Sequence, residues 1–340
     1  MKRSAKRVTR VIYIEMIVLS LLLVAAVIIA FRINKSDSTD YRPQANSNQT
    51  VDTTPTDTTP TDTTPAPGWK PIPEGMTLTS EACFVYNRTT QSFLVSTGSE
   101  DTRVAPGNIT KLFTAYVICK TMILNPDGYC WVDEGALALV KPGDTVSNLK
   151  PGDKLTARKL MEAMLICNGD DATYILASAA GRQFANNVSL TATEAIEAFV
   201  DKMNSIAQEE GMMGTNFTNP NGASDPNQYM TFRDMITLAN ICDIYPVSIK
   251  HPAVVPSADI KLHNETVIWE NNNKLIDPNS PYYNTFATGL KAGSTSELGS
   301  SLLSTFYKDK ENLVIGVFNS PTADNLFTDV TQLFNYTVSS

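Results

Sequence analysis

An apolar run near the amino terminus most constrains what this chain can fold into. Residues 11–31 read VIYIEMIVLSLLLVAAVIIAF, in which Glu15 is the single charge. A helix of this length spans the hydrocarbon core of a bilayer. Five Lys/Arg precede the run and two follow it, so the positive-inside rule predicts a cytoplasmic tail (residues 1–10), a transmembrane anchor (11–31) and an extracytoplasmic remainder. A cleaved signal peptide is the alternative, but its apolar region is normally about 7–15 residues long.

A segment rich in Thr, Pro and Asp separates this run from the rest of the chain. Residues 32–75 include VDTTPTDTTPTDTTPAPG, in which DTTPT recurs with a five-residue period. The segment has almost nothing apolar to bury, so burial cannot offset the entropy of ordering it. We therefore predict a disordered, extended linker. At ~3.1 Å per residue in polyproline geometry it reaches on the order of 100 Å from the membrane.

Charge and residue counts exclude several function classes. The chain holds 27 Lys/Arg and 35 Asp/Glu, but seven basic and one acidic residue lie in residues 1–35, which leaves 20 against 34. A body this acidic is not expected to bind nucleic acid. With two histidines, His251 and His263, and no HExxH or CxxC motif, we expect no metal and no cofactor, and a Ser-His-Asp triad would need one of these two. The five cysteines are interpreted as small buried apolar residues, with one disulfide left open.

From residue 76 onward the composition is that of a globular domain, and its pattern predicts an α+β fold. Residues 82–96 show two β-rich runs around a polar turn, and residues 301–320 show a second hairpin with its turn at 308–311. Between them apolar residues recur at helical spacing. The predicted helices cover residues 111–120, 156–166, 171–180 and 194–210. Strands at both ends of a helical middle indicate that the terminal strands share one sheet.

Four segments, in order along the chain, resemble one enzyme family. They are APGNITKLFTAYV (105–117), LICNGDDATYILA (165–177), GMMGTNFTNPNGASDPNQYMTFRDMITLA (211–239) and TGLKAGSTSELG (288–299). Over residues 78–338 the chain resembles the serine-type D-alanyl-D-alanine carboxypeptidases, low-molecular-mass penicillin-binding proteins with the motifs S-x-x-K, S-x-N and K-T-G. The resemblance implies, for residues 76–338, a β-lactamase/penicillin-binding-protein-like fold in which an antiparallel sheet of about five strands lies between helical layers. It also implies peptidoglycan stem peptides as ligands.

The residue at the nucleophile position of the first motif is Asn108. It precedes Lys111 by three residues, which places both side chains on one helix face, and the resemblance implies that the amine of Lys111 would take a hydroxyl proton. A carboxamide cannot form an acyl-enzyme, because its nitrogen lone pair is delocalised into the carbonyl. Asparagine is among the best helix N-caps, and we interpret Asn108 as the cap of the helix that carries Lys111.

In the second motif Asn168, Gly169 and Asp170 stand where the resemblance implies S-x-N. Asn168 replaces a serine that relays a proton in the family, and Asp170 replaces the asparagine that binds the substrate amide. A carboxylate at position 170 would repel the carboxylate of a peptide ending in D-Ala-D-Ala. We predict that Asp170 pairs with Lys111 or Lys291, because an unpaired carboxylate in a partly closed cleft is costly. The alternative is an Asn-Gly turn with Asp170 capping the next helix.

In the third motif Lys291, Ala292 and Gly293 replace K-T-G. We expect the charge of Lys291 to face the cleft, and Gly293 leaves room for a substrate backbone beside the strand. Ala292 lacks the hydroxyl that, by the resemblance, binds the substrate carboxylate, although Thr295 follows closely. We assign substrate binding to Asp170, Lys291, Ala292, Gly293 and Thr295.

Ser147 and Lys150 form a literal S-x-x-K match elsewhere in the chain. The pair lies in KPGDTVSNLKPGDKL, between two Pro-Gly-Asp turns and without an apolar helix behind it. That setting argues against a catalytic pair, because nothing in the local pattern would hold the two side chains together in a core.

Three functional hypotheses follow. The preferred one is a pseudoenzyme, anchored in the cell membrane with its bulk in the cell wall, that binds stem peptides or a cell-wall enzyme. The second is an active D-alanyl-D-alanine carboxypeptidase with an unusual nucleophile. The third is a structural, partner-binding ectodomain that does not use the cleft.

Overall fold

The structure, a computed structural model of the chain, describes residues 70–339. The predicted cytoplasmic tail, membrane span and most of the linker lie outside these residues. Within the described range, no helix combines the length and the apolar character needed to cross a membrane.

Residues 70–339 contain eleven strands, of which five form the main sheet. In chain order they are β1 (Ala82–Asn87), β2 (Ser92–Ser96), β3 (Arg103–Val104), β4 (Tyr129–Trp131), β5 (Lys154–Thr156), β6 (Met230–Thr231), β7 (Ser257–Leu262), β8 (Glu265–Glu270), β9 (Ala287–Thr295), β10 (Gly299–Lys308) and β11 (Glu311–Ser320). The main sheet has the order β2-β1-β11-β10-β9 and is antiparallel throughout. The two terminal hairpins therefore share one sheet, as predicted. The pairs β3–β6, β4–β5 and β7–β8 form separate ribbons.

Eight α-helices lie in the same range. They are α1 (Thr110–Thr121), α2 (Glu134–Leu137), α3 (Ala157–Ile166), α4 (Asp170–Phe184), α5 (Ala192–Glu209), α6 (Phe232–Cys242), α7 (His251–Val254) and α8 (Ala323–Ser339), with 3-10 turns at Gly107–Ile109 and Lys274–Ile276 and a π turn at Pro246–Lys250. The four helices predicted from apolar spacing are confirmed as α1, α3, α4 and α5. Helix α4 runs four residues beyond its predicted end.

Local side-chain chemistry explains where several of these elements begin or turn. Helix α3 begins after Thr156, whose hydroxyl accepts from the backbone N–H of Lys159. Helix α5 begins with a capping box formed by Thr191 and Glu194. Between β10 and β11, Asp309 and Lys310 both have positive φ, the conformation of a two-residue hairpin turn, at the position predicted.

The main sheet separates two apolar cores, because successive side chains of a strand point to opposite faces. On one face Phe84 and Leu303 belong to the larger core, which contains α1 and α3–α6. On the other face Val85 and Leu302 belong to a second core that α8 covers through residues such as Phe327. Helices therefore lie on both faces, which confirms the predicted α+β architecture. Helix α1 is central to the larger core, and its residues 110–118 are all buried.

Candidate functional site

Lys111, on the first turn of α1, lies at the centre of a buried polar cluster. Its side chain has no exposed surface. The Nζ atom donates to Asn108 Oδ1 at 2.5 Å, to the main-chain oxygen of Asn221 at 2.7 Å and lies 2.9 Å from Asp170 Oδ1. An ammonium group has three N–H donors, so each finds an acceptor.

Asn108 holds this amine, and the prediction that it caps α1 is wrong. It lies within the 3-10 turn that precedes α1, and no side chain caps either the turn or the helix. Its carboxamide accepts from Lys111 and donates through Nδ2 to the main-chain oxygen of Ser294 at 3.3 Å. A charged donor is a stronger partner than a backbone N–H, which favours this arrangement. A Cβ at Gly293 would lie 2.5 Å from Nδ2, so the carboxamide packs where residue 293 has no side chain.

Asp170 forms the ion pair that the sequence predicts, and its partner is Lys111. Its Oδ1 also accepts from Asn221 Nδ2 at 2.9 Å, and its Oδ2 accepts from the backbone N–H of Thr145 at 3.2 Å. The alternative interpretation, a capping role, is wrong: Gly169 occupies the cap position of α4 and no side-chain cap bond forms. The carboxylate faces three donors across the site instead.

Asn168, at the relay position, has the left-handed conformation that its Asn-Gly turn predicts, with φ of 62°. Its Nδ2 donates to the main-chain oxygen of Ala292 at 3.1 Å, which ties the turn to β9. The side chain is buried, and its Oδ1 has no hydrogen-bond partner among residues 70–339. Asn168 thus links the start of α4 to the sheet, and it forms no hydrogen bond with the amine of Lys111.

Lys291 does not place a charge in the cleft, which corrects the sequence-based expectation. Its side chain is 1% exposed, and Nζ donates to the main-chain oxygens of Leu165 at 2.5 Å and Met164 at 3.4 Å. Burial, and next the nearby charge of Lys111, hold the pKa of Lys291 well below its usual value. Strand alternation cannot reveal this outcome, because the end of α3 supplies those carbonyls.

Of the two residues assigned to substrate binding beside Gly293, Ala292 lies outside the cleft and Thr295 lies in it. The Ala292 side chain belongs to the core beneath α8, near Leu326 and Phe327, so only its backbone oxygen takes part in the site. Thr295 does line the cleft, and its hydroxyl accepts from the backbone N–H of Leu298 in the turn to β10.

The open cleft lies between the loop at residues 141–145, the start of α4, the turn at Asn221 and the end of β9. It is lined by Asn108, Lys141, Pro142, Gly143, Asp144, Thr145, Asp170, Asn221, Gly222, Ala223, Ser224, Ser294, Thr295, Ser296 and Glu297. Sequence reasoning missed Asn221, although its Asn-Pro-Asn-Gly turn was visible as a turn signal. Gly222 explains how that turn reaches the site: a Cβ there would lie 1.8 Å from the main-chain oxygen of Gly107.

Ser147 is structural and separate from Lys150. Its hydroxyl donates to Asp171 Oδ1 at 2.7 Å, its backbone N–H donates to the same carboxylate, and its main-chain oxygen accepts from Trp269. Ser147 is buried whereas Lys150 is exposed. The Ser147 hydroxyl therefore holds its loop against Asp171, which agrees with the argument that Ser147 and Lys150 are not a catalytic pair.

Histidine and cysteine side chains take no part in the cleft. His263 pairs with Asp153 at 2.8 Å on another surface, and His251 is exposed at the start of α7. The five cysteines are all free, so the disulfide left open by the sequence is not present. Across residues 70–339, no group of three or more His, Cys, Asp or Glu side chains is arranged to hold a metal ion.

Comparisons with known proteins agree with this architecture. The family model for D-alanyl-D-alanine carboxypeptidase matches residues 70–322. The chain is 26% identical over 248 residues to the D-alanyl-D-alanine carboxypeptidase of Streptomyces sp. strain K15, covering 71% of this chain and 81% of that protein. It is 26% identical over 254 residues to D-alanyl-D-alanine carboxypeptidase DacC of Escherichia coli, covering 72% of this chain. The chain spans 57% of the length of the Escherichia coli relative.

Solved structures give the same result for the fold. The crystal structure of the Streptomyces K15 DD-transpeptidase matches with a TM-score of 0.68 at 24% identity, covering 78% of this chain and 99% of that one. Penicillin-binding protein 5 from Haemophilus influenzae matches with a TM-score of 0.63 at 23% identity, covering 77% of this chain and 71% of that one. The penicillin-binding-protein fold implied by the sequence is confirmed.

Proposed function

Because the chain belongs to the D-alanyl-D-alanine carboxypeptidase family, we propose that it is a cell-wall protein that binds peptidoglycan stem peptides without acyl transfer. A single observation carries the proposal: Asn108 occupies the nucleophile position and its carbonyl oxygen accepts from Lys111. The amine of Lys111, which would activate a serine, is hydrogen-bonded to the carboxamide of Asn108. A carboxamide cannot serve as the nucleophile.

The chemistry of the two side chains explains the proposed loss of turnover. The carboxamide nitrogen of Asn108 has no available lone pair. The three donors of Lys111 already serve Asn108, Asn221 and Asp170, and none of these acceptors is a hydroxyl. In serine hydrolases, removing the nucleophile alone lowers turnover on the order of a million-fold.

The surroundings of the cluster support retained binding. Strand β9 lies at the edge of the main sheet, and an extended peptide can pair with the backbone of an edge strand. The cleft beside it is open and lined mainly by polar residues such as Ser224, Ser294 and Thr295. Peptide amides need such donors and acceptors, because unsatisfied polar groups oppose binding.

The proposal includes the location of the protein. The apolar run at residues 11–31 supports a single-pass anchor with a cytoplasmic amino terminus, and the residues that follow support an extended linker. The folded head would then lie outside the membrane, within reach of the wall.

Labelling with a fluorescent penicillin tests the loss of catalysis, since acylation needs a nucleophile. We expect no covalent label on the wild-type chain. Labelling at the rate of an active carboxypeptidase would refute the proposal, and its loss in Ser147→Ala would then identify the nucleophile. Isothermal titration with stem peptides ending in D-Ala-D-Ala tests binding. Absence of binding would favour the structural ectodomain or a wall-enzyme partner.

A rescue series tests whether these positions account for the loss. Asn108→Ser restores a hydroxyl three residues from Lys111, and we expect slow penicillin labelling. Adding Asn168→Ser and Asp170→Asn should increase the rate more than additively, because neighbouring groups of one site couple. A folded triple variant that never labels would show that the cleft differs from an active site in further positions.

A further inference from the structure

The cluster of Lys111, Asn108 and Asp170 brings together an amine, a primary carboxamide and a carboxylate. The three residues are 0%, 7% and 6% exposed. The Lys111 Nζ atom is 2.5 Å from Asn108 Oδ1, and a C=O bond is about 1.23 Å long, so Nζ lies within about 3.7 Å of the carboxamide carbon Cγ. Reacting atoms in a near-attack geometry are about 3–3.5 Å apart. The hydrogen bond therefore holds the amine within reach of an electrophilic carbon, and attack requires Nζ to move from Oδ1 to a position above the carboxamide plane.

We propose that Lys111 and Asn108 join through an intramolecular isopeptide bond, with Asp170 as the group that moves the proton. Asp170 takes a proton from Lys111 Nζ, and the freed lone pair attacks Asn108 Cγ to form the new C–N bond. The carboxyl proton is then delivered to Nδ2, and the Cγ–Nδ2 bond breaks as the carbonyl re-forms. The attacking nitrogen gives its second proton to Asp170, which passes it to the released ammonia. An ammonium side chain and a carboxamide give a secondary amide and an ammonium ion, so the reaction needs no oxidant or other reactant.

The position of Asp170 suits this role. Its Oδ1 lies 2.9 Å from Lys111 Nζ, while Asn221 and the backbone of Thr145 hold the carboxylate in place. Removal from water disfavours the ammonium–carboxylate pair relative to the neutral amine and carboxylic acid, which makes proton transfer from Lys111 to Asp170 easier. Holding the groups together replaces an encounter between molecules with an intramolecular step.

The carboxamide also has a route for its leaving group. Asn108 lines the open cleft, so ammonia released from Nδ2 can enter solvent. The hydrogen bond from Nδ2 to the main-chain oxygen of Ser294 orients the carboxamide. The two reacting side chains are three residues apart, Asn108 in the 3-10 turn and Lys111 in the first turn of α1, so the bond would close a local ring.

Lys291 provides a comparison within the same molecule. Lys111 and Lys291 are the two buried lysines among residues 70–339. The Nζ of Lys291 contacts main-chain carbonyls of Leu165 and Met164, whose amides belong to the peptide backbone. Lys111 contacts a side-chain carboxamide, whose nitrogen can leave without breaking the chain. The proposal is therefore specific to Lys111.

Mass spectrometry of the purified full-length chain tests the bond directly. We expect the wild type to lack the mass of one ammonia molecule. Trypsin does not cleave after an acylated lysine, so the digest should contain a fragment of residues 104–120 with that loss. A succinimide at Asn108 loses the same mass but leaves Lys111 cleavable, and would refute the proposal.

Two variants and one further outcome complete the test. Asp170→Asn should keep the full mass because the proton carrier is gone, and Asn108→Ser should keep it because no carboxamide is present. A wild-type digest with residues 104–111 at unmodified mass would overturn the proposal, whether or not either variant folds. The measurement uses neither penicillin nor peptide, so its result is independent of the proposed binding function.

Discussion

Asp171→Asn should destabilise the fold strongly, although it preserves the size and shape of the side chain. Asp171 is 2% exposed. Its Oδ2 accepts from the backbone N–H of Leu149 at 3.3 Å, and its Oδ1 accepts from the Ser147 hydroxyl at 2.7 Å. The backbone N–H of Ser147 donates to both oxygens, at 2.9 Å and 3.0 Å. The carboxylate therefore holds the loop that forms one wall beside the cleft.

The magnitude follows from these donors. An asparagine at position 171 has one acceptor oxygen, and its amide N–H groups would face a backbone N–H that needs an acceptor. Hydrogen bonds to charged groups contribute about 1.5–3 kcal/mol each, and an unsatisfied buried donor costs about 1–3 kcal/mol. The Leu149 N–H loses its acceptor, whereas the Ser147 N–H keeps Oδ1 as a neutral acceptor, so we expect a loss of about 2–4 kcal/mol in the free energy of unfolding.

Asp127→Asn is the matched control for the same chemical change. Asp127 pairs with Arg158 at 2.9 Å, but its side chain is 78% exposed. Solvent screening limits such a pair to about 1 kcal/mol or less. Equilibrium urea unfolding of the wild type and both variants gives the comparison through their midpoints. Equal midpoints for Asp171→Asn and Asp127→Asn would refute the reasoning.

Gly222→Ala should lower the melting temperature by much more than Gly143→Ala. Both glycines have positive φ, but a Cβ added at Gly222 would clash with the main-chain oxygen of Gly107, whereas a Cβ added at Gly143 would have no neighbouring atom within 4 Å. Similar losses in calorimetry would contradict this contact. The lowered pKa of Lys291, mainly due to burial, means that the unfolded state binds more protons. The free energy of unfolding of the wild type should therefore rise relative to that of Lys291→Met as the pH increases towards about 10, the pKa of lysine in an unfolded chain. A difference between the two proteins that does not change with pH would exclude the lowered pKa. Burial raises the pKa of Cys83 and Cys242 to about 12, so iodoacetamide at pH 8 should modify these thiols only after unfolding. Peptide mapping locates the modified cysteines, and rapid modification of either thiol in the native chain would disprove the prediction.

Features with local causes could be predicted from the sequence. The hairpin turn at Asp309 and Lys310 joins two runs that pair with each other, and the helix cap at Thr156 is decided within a few residues. The order of the motif segments likewise predicted the family and the main sheet. The replacement of the nucleophile by Asn108 is also a fact of sequence, because the identity of a residue determines whether it can form an acyl-enzyme.

The state of each side chain in the cleft depended on partners far away in the chain. Asn108 contacts Ser294 across 186 positions, and Lys291 contacts Leu165 across 126, which local propensity does not encode. Neighbouring residues predicted that Asn108 caps a helix and that the charge of Lys291 faces the cleft, and both predictions were wrong. The tertiary structure also selected Lys111 over Lys291 as the partner of Asp170. Long-range contacts decide this, because Asp170 reaches the amine of Lys111, whereas the amine of Lys291 meets the main-chain oxygens of Leu165 and Met164.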